Sequence, residues 1–147
     1  MAKVIAVNIS ETKGVPKKTI SEGKFIEDFG LEGDAHAGKW HRQVSLLGVE
    51  SINKMKSLKG DKLDTGKFAE NLTTEGIILY ELPVGTRLKI GETIQEVTQI
   101  GKECHTGCNI RQLVGDCVMP REGIFTKVIK GGIIKAGDEI EIINNNL

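Results

Sequence analysis

The fold class is decided by one stretch of the sequence, RLKIGETIQEVTQI, which covers residues 87–100. Its two parts, 87–90 and 93–100, are predicted strands, and the second is rich in β-branched residues, which favour strands. Gly91 and Glu92 form a short break of the kind that joins the two strands of a hairpin. The stretch therefore predicts an antiparallel hairpin and, with it, a fold in which sheet dominates.

Further extended segments lie on both sides of this hairpin. They are predicted at residues 4–9, 24–29, 68–74, 77–79, 123–129 and 139–143. The polar segment 11–18, with Gly14 and Pro16, predicts a loop, and 82–85 predicts a turn. Short strands without a regular strand–helix alternation favour an antiparallel β-barrel or sandwich. A closed barrel also removes the exposed strand edges that invite aggregation.

One amphipathic helix is predicted from about residue 47 to residue 57. Apolar side chains recur every three positions at Leu46, Val49, Ile52, Met55 and Leu58. A single helical turn is a second candidate, at residues 110–114. The expected fold is mainly β: a closed antiparallel β-barrel with one or two short helices, in one domain over residues 1–147.

The composition is that of an ordinary globular domain and argues against two classes of partner. Lysine plus arginine number 20, as do aspartate plus glutamate, so the formal net charge is zero. Proteins that bind nucleic acid or anionic membranes usually carry a basic excess. No export signal and no apolar run of about 20 residues is evident, so we expect a cytoplasmic protein with its three cysteines reduced.

Cys117 is the first candidate for chemistry. A thiol reacts as thiolate, and a nearby cation lowers its pKa; Arg121 follows four residues later, across the stiff Pro120. The alternative interpretation is a small buried apolar side chain, which free cysteines often are.

A second set of thiols lies just upstream. Cys104, His105 and Cys108, with Cys117, supply the ligand count of a structural zinc site. A reversible thiol pair, or separate packed or catalytic thiols, are the alternatives that the spacing leaves open.

The loop at residues 32–42 is polar and rich in side chains that can carry positive charge. These are His36, Lys39, His41 and Arg42. Gly33 and Gly38 would let backbone N–H groups approach a phosphate or an anionic cofactor. Alternatively, the loop is merely solvated, and Trp40 anchors it to the core.

Glu70 and Asn71 can hydrogen-bond loops, and such residues are more often structural than catalytic. The sequence contains no phosphate-binding P-loop, dinucleotide fingerprint or serine-nucleophile elbow. No lysine is placed as a pyridoxal-phosphate Schiff base would require, so no covalent pyridoxal phosphate is expected in this chain.

Three motifs, taken together, resemble those of stand-alone MOSC domains. They are GDAHAGKWHRQVSLL at residues 33–47, FAENLTTEGI at 68–77, and IGKECH at 100–105 with CVMPREGIF at 117–125. MOSC is the C-terminal domain of molybdenum cofactor sulfurases, and the resemblance spans nearly the whole chain. It implies a strand-rich β-barrel with a signature cysteine, which falls on Cys117.

The resemblance also implies a function. Cys117 would carry sulfur as a persulfide or ligate molybdenum, with Arg121 beside it as a second catalytic residue. The cofactor-binding residues would be Gly33, Asp34, His36, Lys39, His41, Arg42, Glu70 and Asn71. The expected cofactor is the molybdenum cofactor.

The chain has no pyridoxal-phosphate domain, so the sulfur donor would be a separate cysteine desulfurase. The acceptor would be the molybdenum cofactor, a molybdoenzyme or another metal–sulfur centre, which makes the chain a possible sulfurtransferase. The alternatives are a molybdenum-dependent reductase of N-hydroxylated compounds and a cofactor-binding module without turnover.

Overall fold

The structure is a computed structural model that describes residues 2–12, 15, 17–53, 70–101 and 122–143. Eleven strands are found in these ranges. They are β1 Lys3–Ile9, β2 Lys18–Ile20, β3 Glu22–Ile26, β4 Gly30–Leu31, β5 Val44–Gly48, β6 Leu72–Glu75, β7 Arg87–Ile90, β8 Thr93–Ile100, β9 Ile124–Lys130, β10 Gly132–Lys135 and β11 Ile140–Ile143. A 3₁₀ helix covers Leu79–Glu81, and the described part of a helix after β5 covers residues 49–53.

The predicted hairpin is confirmed with its boundaries. β7 and β8 pair antiparallel in the register Arg87↔Glu96 to Ile90↔Thr93. The buried side chains of β7 alternate with outward ones, as expected of a strand with one face on a core. Local pattern and turn chemistry agree here, so this part of the chain was predictable from sequence.

Two sheets build the fold. The larger has eight strands in the order β11-β7-β8-β9-β5-β6-β1-β2, and the smaller has three in the order β10-β3-β4. All pairs are antiparallel except β5 with β6, which are parallel. Parallel neighbours need a long crossover connection, and residues 49–71, which include the start of the helix, provide it.

The prediction of a closed antiparallel barrel is wrong, although the prediction of a mainly β fold is confirmed. In the described residues the larger sheet is open, with β2 and β11 at its two ends. The outer edge of β1 is already paired with β2 from Val7 to Ile9. Near the start of β1, residues 2–4 contact residues 137–140 through the isolated bridge of Lys3 with Glu139 and a few backbone hydrogen bonds, without a ladder between β1 and β11.

The start of the predicted helix is also wrong by two residues. Leu46 and Leu47 are fully buried in strand β5, and helical backbone begins at residue 49. The apolar residues spaced three apart, on which the helix prediction rested, begin inside this strand. Both faces of β5 are buried, and all of its residues are accordingly apolar or small. Residues 54–57 of the predicted helix, and the helical turn predicted at 110–114, lie outside the described residues.

The core lies between the two sheets. Phe25 of β3 and Ile134 of β10 pack in the same buried cluster as Leu46, Leu72 and Leu88 of the larger sheet. Burying one such side chain contributes about 1.5–3 kcal/mol relative to exposure. The smaller sheet is therefore fixed to the larger one chiefly by apolar packing.

No helical segment within the described residues has both the length and the apolar character needed to cross a bilayer.

Gly30 in β4 lets two backbone segments approach each other closely, and its replacement provides a stability test. Its φ is +117°, and a Cβ there would lie 2.7 Å from the carbonyl oxygen of Gln43. We expect Gly30→Ala to lower the free energy of unfolding by about 2 kcal/mol, since positive φ and backbone overlap both oppose it. Urea unfolding measures the change.

Gly137→Ala is the matched control for that substitution. Gly137 also has a positive φ, +94°, but a Cβ there would meet nothing within 4 Å. Gly137→Ala should therefore lower the free energy of unfolding by less than Gly30→Ala, because only the positive φ opposes it. Equal losses in the two variants would show that close approach to Gln43 is irrelevant.

Candidate functional site

The polar loop at residues 32–42 follows β4 and is fastened at three points by backbone hydrogen bonds. Glu32 N–H donates to the carbonyl of Lys24 at 2.9 Å, Ala35 N–H donates to that of Ser10, and Gly38 N–H donates to that of Phe29, the last two at 2.7 Å. The loop is thus fixed between the end of β1 and the turn that precedes β4. The side chains of the loop therefore project from a backbone whose position is fixed.

A buried ion pair lies under this loop. Lys17 Nζ is 2.8 Å from Asp34 Oδ1, and neither side chain is exposed to solvent. Asp34 also accepts backbone N–H groups of Ser10 and His36, both at 3.0 Å. Sequence analysis selected Asp34 but missed Lys17, because no motif includes Lys17 and its partner is seventeen positions away.

The carboxyl of Asp34 is held in its ionised form. Burial by itself would raise its pKa, but the contacts from His36 and Lys17, with the positive charge of Lys17, outweigh burial. The net result is a pKa far below the usual value for aspartate. Asp34 is therefore a fixed negative charge that orders the cationic groups around it.

His36 is oriented from both sides. His36 Nδ1 lies 3.2 Å from Lys17 Nζ and 3.6 Å from Asp34 Oδ2, so the buried ion pair holds this edge of the ring. The indole of Trp40 stacks parallel to the imidazole, with centroids 6.5 Å apart, and Trp40 Nε1 donates to the His36 carbonyl at 2.7 Å. The partly exposed ring of His36 therefore has a fixed orientation.

Lys39 and His41 are exposed on the same loop, and His41 meets Trp40 edge to face at 5.7 Å between centroids. Gly33 has a φ of +89°, which a side chain would strain. The predicted residues of the first motif are therefore brought together on one loop.

Arg42 points from that loop to the larger sheet. Its Nε donates to Gln99 Oε1 at 3.1 Å, and its guanidinium lies 5.2 Å from the centroid of Phe125. Gln99 and Phe125 are close to the ends of β8 and β9, where Gly101 N–H donates to the Gly123 carbonyl at 2.7 Å. Arg42 therefore lies where the chain enters and leaves residues 102–121.

Glu70 and Asn71 belong to a separate, fully buried hydrogen-bond network. Asn71 Oδ1 accepts from Ser45 N–H at 3.0 Å, and Asn71 Nδ2 donates to the Asn8 carbonyl at 3.2 Å. Glu70 Oε2 accepts from the hydroxyl of Thr73 at 2.7 Å. These bonds connect β1, β5 and the start of β6. That Glu70 or Asn71 contacts a cofactor stays a prediction.

The sulfur chemistry predicted for Cys117 and Arg121 falls outside the described residues, as do Cys104, His105 and Cys108 of the predicted zinc set. Across the ranges that the structure describes, no three histidine, cysteine, aspartate or glutamate side chains are grouped as a metal site requires. The proposed roles of these thiols therefore stay predictions.

The described part of the site suits an anionic group. The loop offers the partly exposed imidazole of His36, the exposed side chains of Lys39 and His41, and the guanidinium of Arg42 at the sheet edge. Such donors bind phosphate oxygens by charge-assisted hydrogen bonds.

Comparison with known proteins agrees with this fold. The sequence pattern of the MOSC domain matches residues 33–141. The YuaD protein of Bacillus subtilis has a similar structure, with a TM-score of 0.79, 19% identity, and coverage of 97% of this chain and 96% of that one.

Two YiiM proteins are similar as well. YiiM from Geobacillus stearothermophilus has a TM-score of 0.77 at 15% identity, covering 100% of this chain and 77% of that one. YiiM from Escherichia coli has a TM-score of 0.72 at 18% identity, covering 99% and 71%. A search of proteins with curated descriptions found no match.

Proposed function

Because the chain belongs to the MOSC domain family, we propose that it is a sulfur carrier in molybdenum cofactor or metal–sulfur chemistry, with Cys117 as the acceptor thiol. Membership supports a role related to the molybdenum cofactor. The observation that carries the sulfur-carrier proposal is the extent of the family match. It covers residues 33–141, which include nearly all of the loop at residues 32–42 and Cys117.

The proposed loading step is a thiol exchange without net oxidation. The thiolate of Cys117 attacks the terminal sulfur of a persulfide on the donor protein. The donor's sulfur–sulfur bond breaks as the new bond to Cys117 forms, and the donor cysteine leaves as a thiolate. Cys117 then carries one additional sulfur, with the proton that the donor persulfide held.

The surroundings in the described residues support an anionic intermediate. Arg42 contacts Gln99 and Phe125, each two residues from Gly101 or Gly123, the residues that flank the segment containing Cys117 in the sequence. A guanidinium stays protonated at any physiological pH. Positive charge at this end of the sheet would favour both a thiolate and the phosphate of a bound pterin.

The role of the loop in cofactor binding follows from its hydrogen bonds. Asp34 and Lys17 hold the Nδ1 edge of His36, which leaves Nε2 on the opposite edge for an incoming anion. Lys39 and His41 add exposed donors on the same loop. When bound, the molybdenum cofactor would supply a metal centre able to take up sulfur, which makes it a fitting acceptor.

Sulfur loading tests this proposal directly. The purified protein is incubated with L-cysteine and a pyridoxal-phosphate cysteine desulfurase, and its intact mass is measured without reducing agent. We expect a mass increase of one sulfur atom, located on Cys117 by peptide mapping. The Cys117→Ser variant should show none, because a hydroxyl does not accept sulfane sulfur.

Cys104→Ser and Cys108→Ser are the matched controls, since each removes one thiol from the same segment of the sequence. Both should load sulfur as the unaltered protein does. Loading that persists in Cys117→Ser, or that disappears only in the controls, would reject Cys117 as the acceptor.

A further inference from the structure

Trp40 is the largest side chain of the loop at residues 32–42, and 36% of its surface is exposed. It does not belong to the buried apolar cluster between the two sheets. We propose that its indole is the surface on which the flat ring of the pterin in the molybdenum cofactor stacks. The inference rests on the proposed function for the identity of the ligand, and it adds a ring-binding side chain to the predicted cofactor-binding residues.

The indole is held in one orientation by contacts within the loop. Its Nε1 donates to the His36 carbonyl at 2.7 Å, which satisfies the one polar atom of this side chain. The imidazole of His41 meets it edge to face, with 5.7 Å between the ring centroids. A ring whose orientation is already fixed loses little conformational entropy when a ligand stacks on it.

The imidazole of His36 leaves part of the indole face uncovered. The two rings are parallel to within 3°, but their centroids are 6.5 Å apart. Rings in full face-to-face contact have their atoms about 3.5–4.0 Å apart, so the imidazole covers at most part of the indole. A flat ligand ring can therefore lie against Trp40 in an offset-stacked arrangement, which is the geometry that aromatic pairs favour.

The residues next to Trp40 favour a flat ring that also carries negative charge. Lys39 and His41, its two neighbours along the chain, are both exposed. Arg42 follows, with its guanidinium 5.2 Å from the centroid of the Phe125 ring. These side chains can donate charge-assisted hydrogen bonds to an anion. A pterin that carries a phosphate offers both parts of the ligand, a flat ring for the indole and an anionic group for the donors.

Binding of neopterin monophosphate to the full chain tests the inference. Trp40 is the only tryptophan, so its indole N–H gives a single NMR signal, and we expect this signal to shift saturably during the titration. Neopterin, which lacks the phosphate, should bind about tenfold more weakly, because the charge-assisted hydrogen bonds are lost. Guanosine monophosphate distinguishes a nucleotide from a pterin, and its tighter binding would overturn the assignment to a pterin.

Two substitutions of the same residue separate stacking from apolar contact in general. Trp40→Leu removes the ring and should weaken binding of neopterin monophosphate about tenfold, whereas Trp40→Phe keeps a ring and should retain most of the affinity. Ile78→Ala removes an exposed apolar side chain outside the loop and should leave the affinity unchanged. In all three variants the backbone N–H signals of Lys39 and His41 report the binding.

The result is separable from that of the sulfur-loading experiment, because ring binding is measured without a desulfurase or cysteine. Absent saturation, or equal affinity of the unaltered protein and Trp40→Leu, would overturn the stacking role even if Cys117 loads sulfur. Saturable binding that depends on the ring of Trp40, in a protein whose Cys117 accepts no sulfur, would support the stacking role and contradict only the sulfur-carrier proposal.

Discussion

Replacing Lys17 by methionine is expected to lower the free energy of unfolding by about 3–5 kcal/mol, which is the usual result of removing one partner of a buried ion pair. Methionine keeps most of the apolar stem, so the change isolates the ammonium group. Asp34 would remain buried without its ammonium partner, with the backbone N–H groups of Ser10 and His36 and the nearby His36 ring as its remaining contacts. Urea unfolding followed by circular dichroism measures the loss.

Lys3→Met is the matched control, because Lys3 forms an exposed ion pair with Glu75 at 3.7 Å, with side chains about half exposed. Exposed pairs contribute about 0–1 kcal/mol. The double variant Lys17→Met with Asp34→Asn should lose less than the sum of the single variants, since it leaves no unpaired buried charge. A loss for Lys17→Met no greater than for Lys3→Met would contradict the buried pair.

The same pair makes stability depend on pH in a defined direction. The pKa of Asp34 is lower in the folded state than in the unfolded chain, where it is about 3.9. The stabilisation is therefore complete above about pH 4 and declines as the pH falls from there toward the folded-state pKa. The stability difference between the unaltered protein and Asp34→Asn should shrink over that acid range, and a difference that is independent of pH would refute the assignment.

Two adjacent threonines of β6 should respond oppositely to the same substitution. Thr73 and Thr74 are both fully buried. The Thr73 hydroxyl donates to Glu70 Oε2 at 2.7 Å and accepts from Asn8 Nδ2 at 3.0 Å, whereas Thr74 Oγ1 has no partner in the described residues. Thr73→Val should lower the free energy of unfolding by about 3 kcal/mol, because a buried carboxylate loses a donor.

Thr74→Val should be neutral or stabilising, because valine has nearly the same shape and removes an unpaired hydroxyl. The two variants differ by one position in one strand, so each serves as the control for the other. The comparison requires only melting curves or urea titrations of both proteins. Similar destabilisation in both would mean that the hydrogen bonds of Thr73 are not what sets the cost.

The strands that were predicted well are those in which local pattern and turn chemistry agree. β1, the hairpin of β7 with β8, and the later strands β9 and β11 lie close to where the sequence indicated them. β2, β4, β5 and β10 were missed, and the extended segment predicted at residues 77–79 is not a strand. β2 and β10 are short, and in β5 a spacing typical of a helix begins inside a strand that is buried throughout.

The loop at residues 32–42 could be recognised as a candidate from its composition and its resemblance to the MOSC motif. Lys17 could not, since its meeting with Asp34 and His36 depends on how the end of β1 packs against that loop.

The sequence by itself determined the strand-rich class, the hairpin at residues 87–100 and the family, because these depend on side chains near one another along the chain or on motif order. Only the tertiary structure decided that the larger sheet stays open, that Lys17 is buried against Asp34, and that Thr74 has no described partner. Strand register and long-range packing decide these features, and neither is encoded in any single segment.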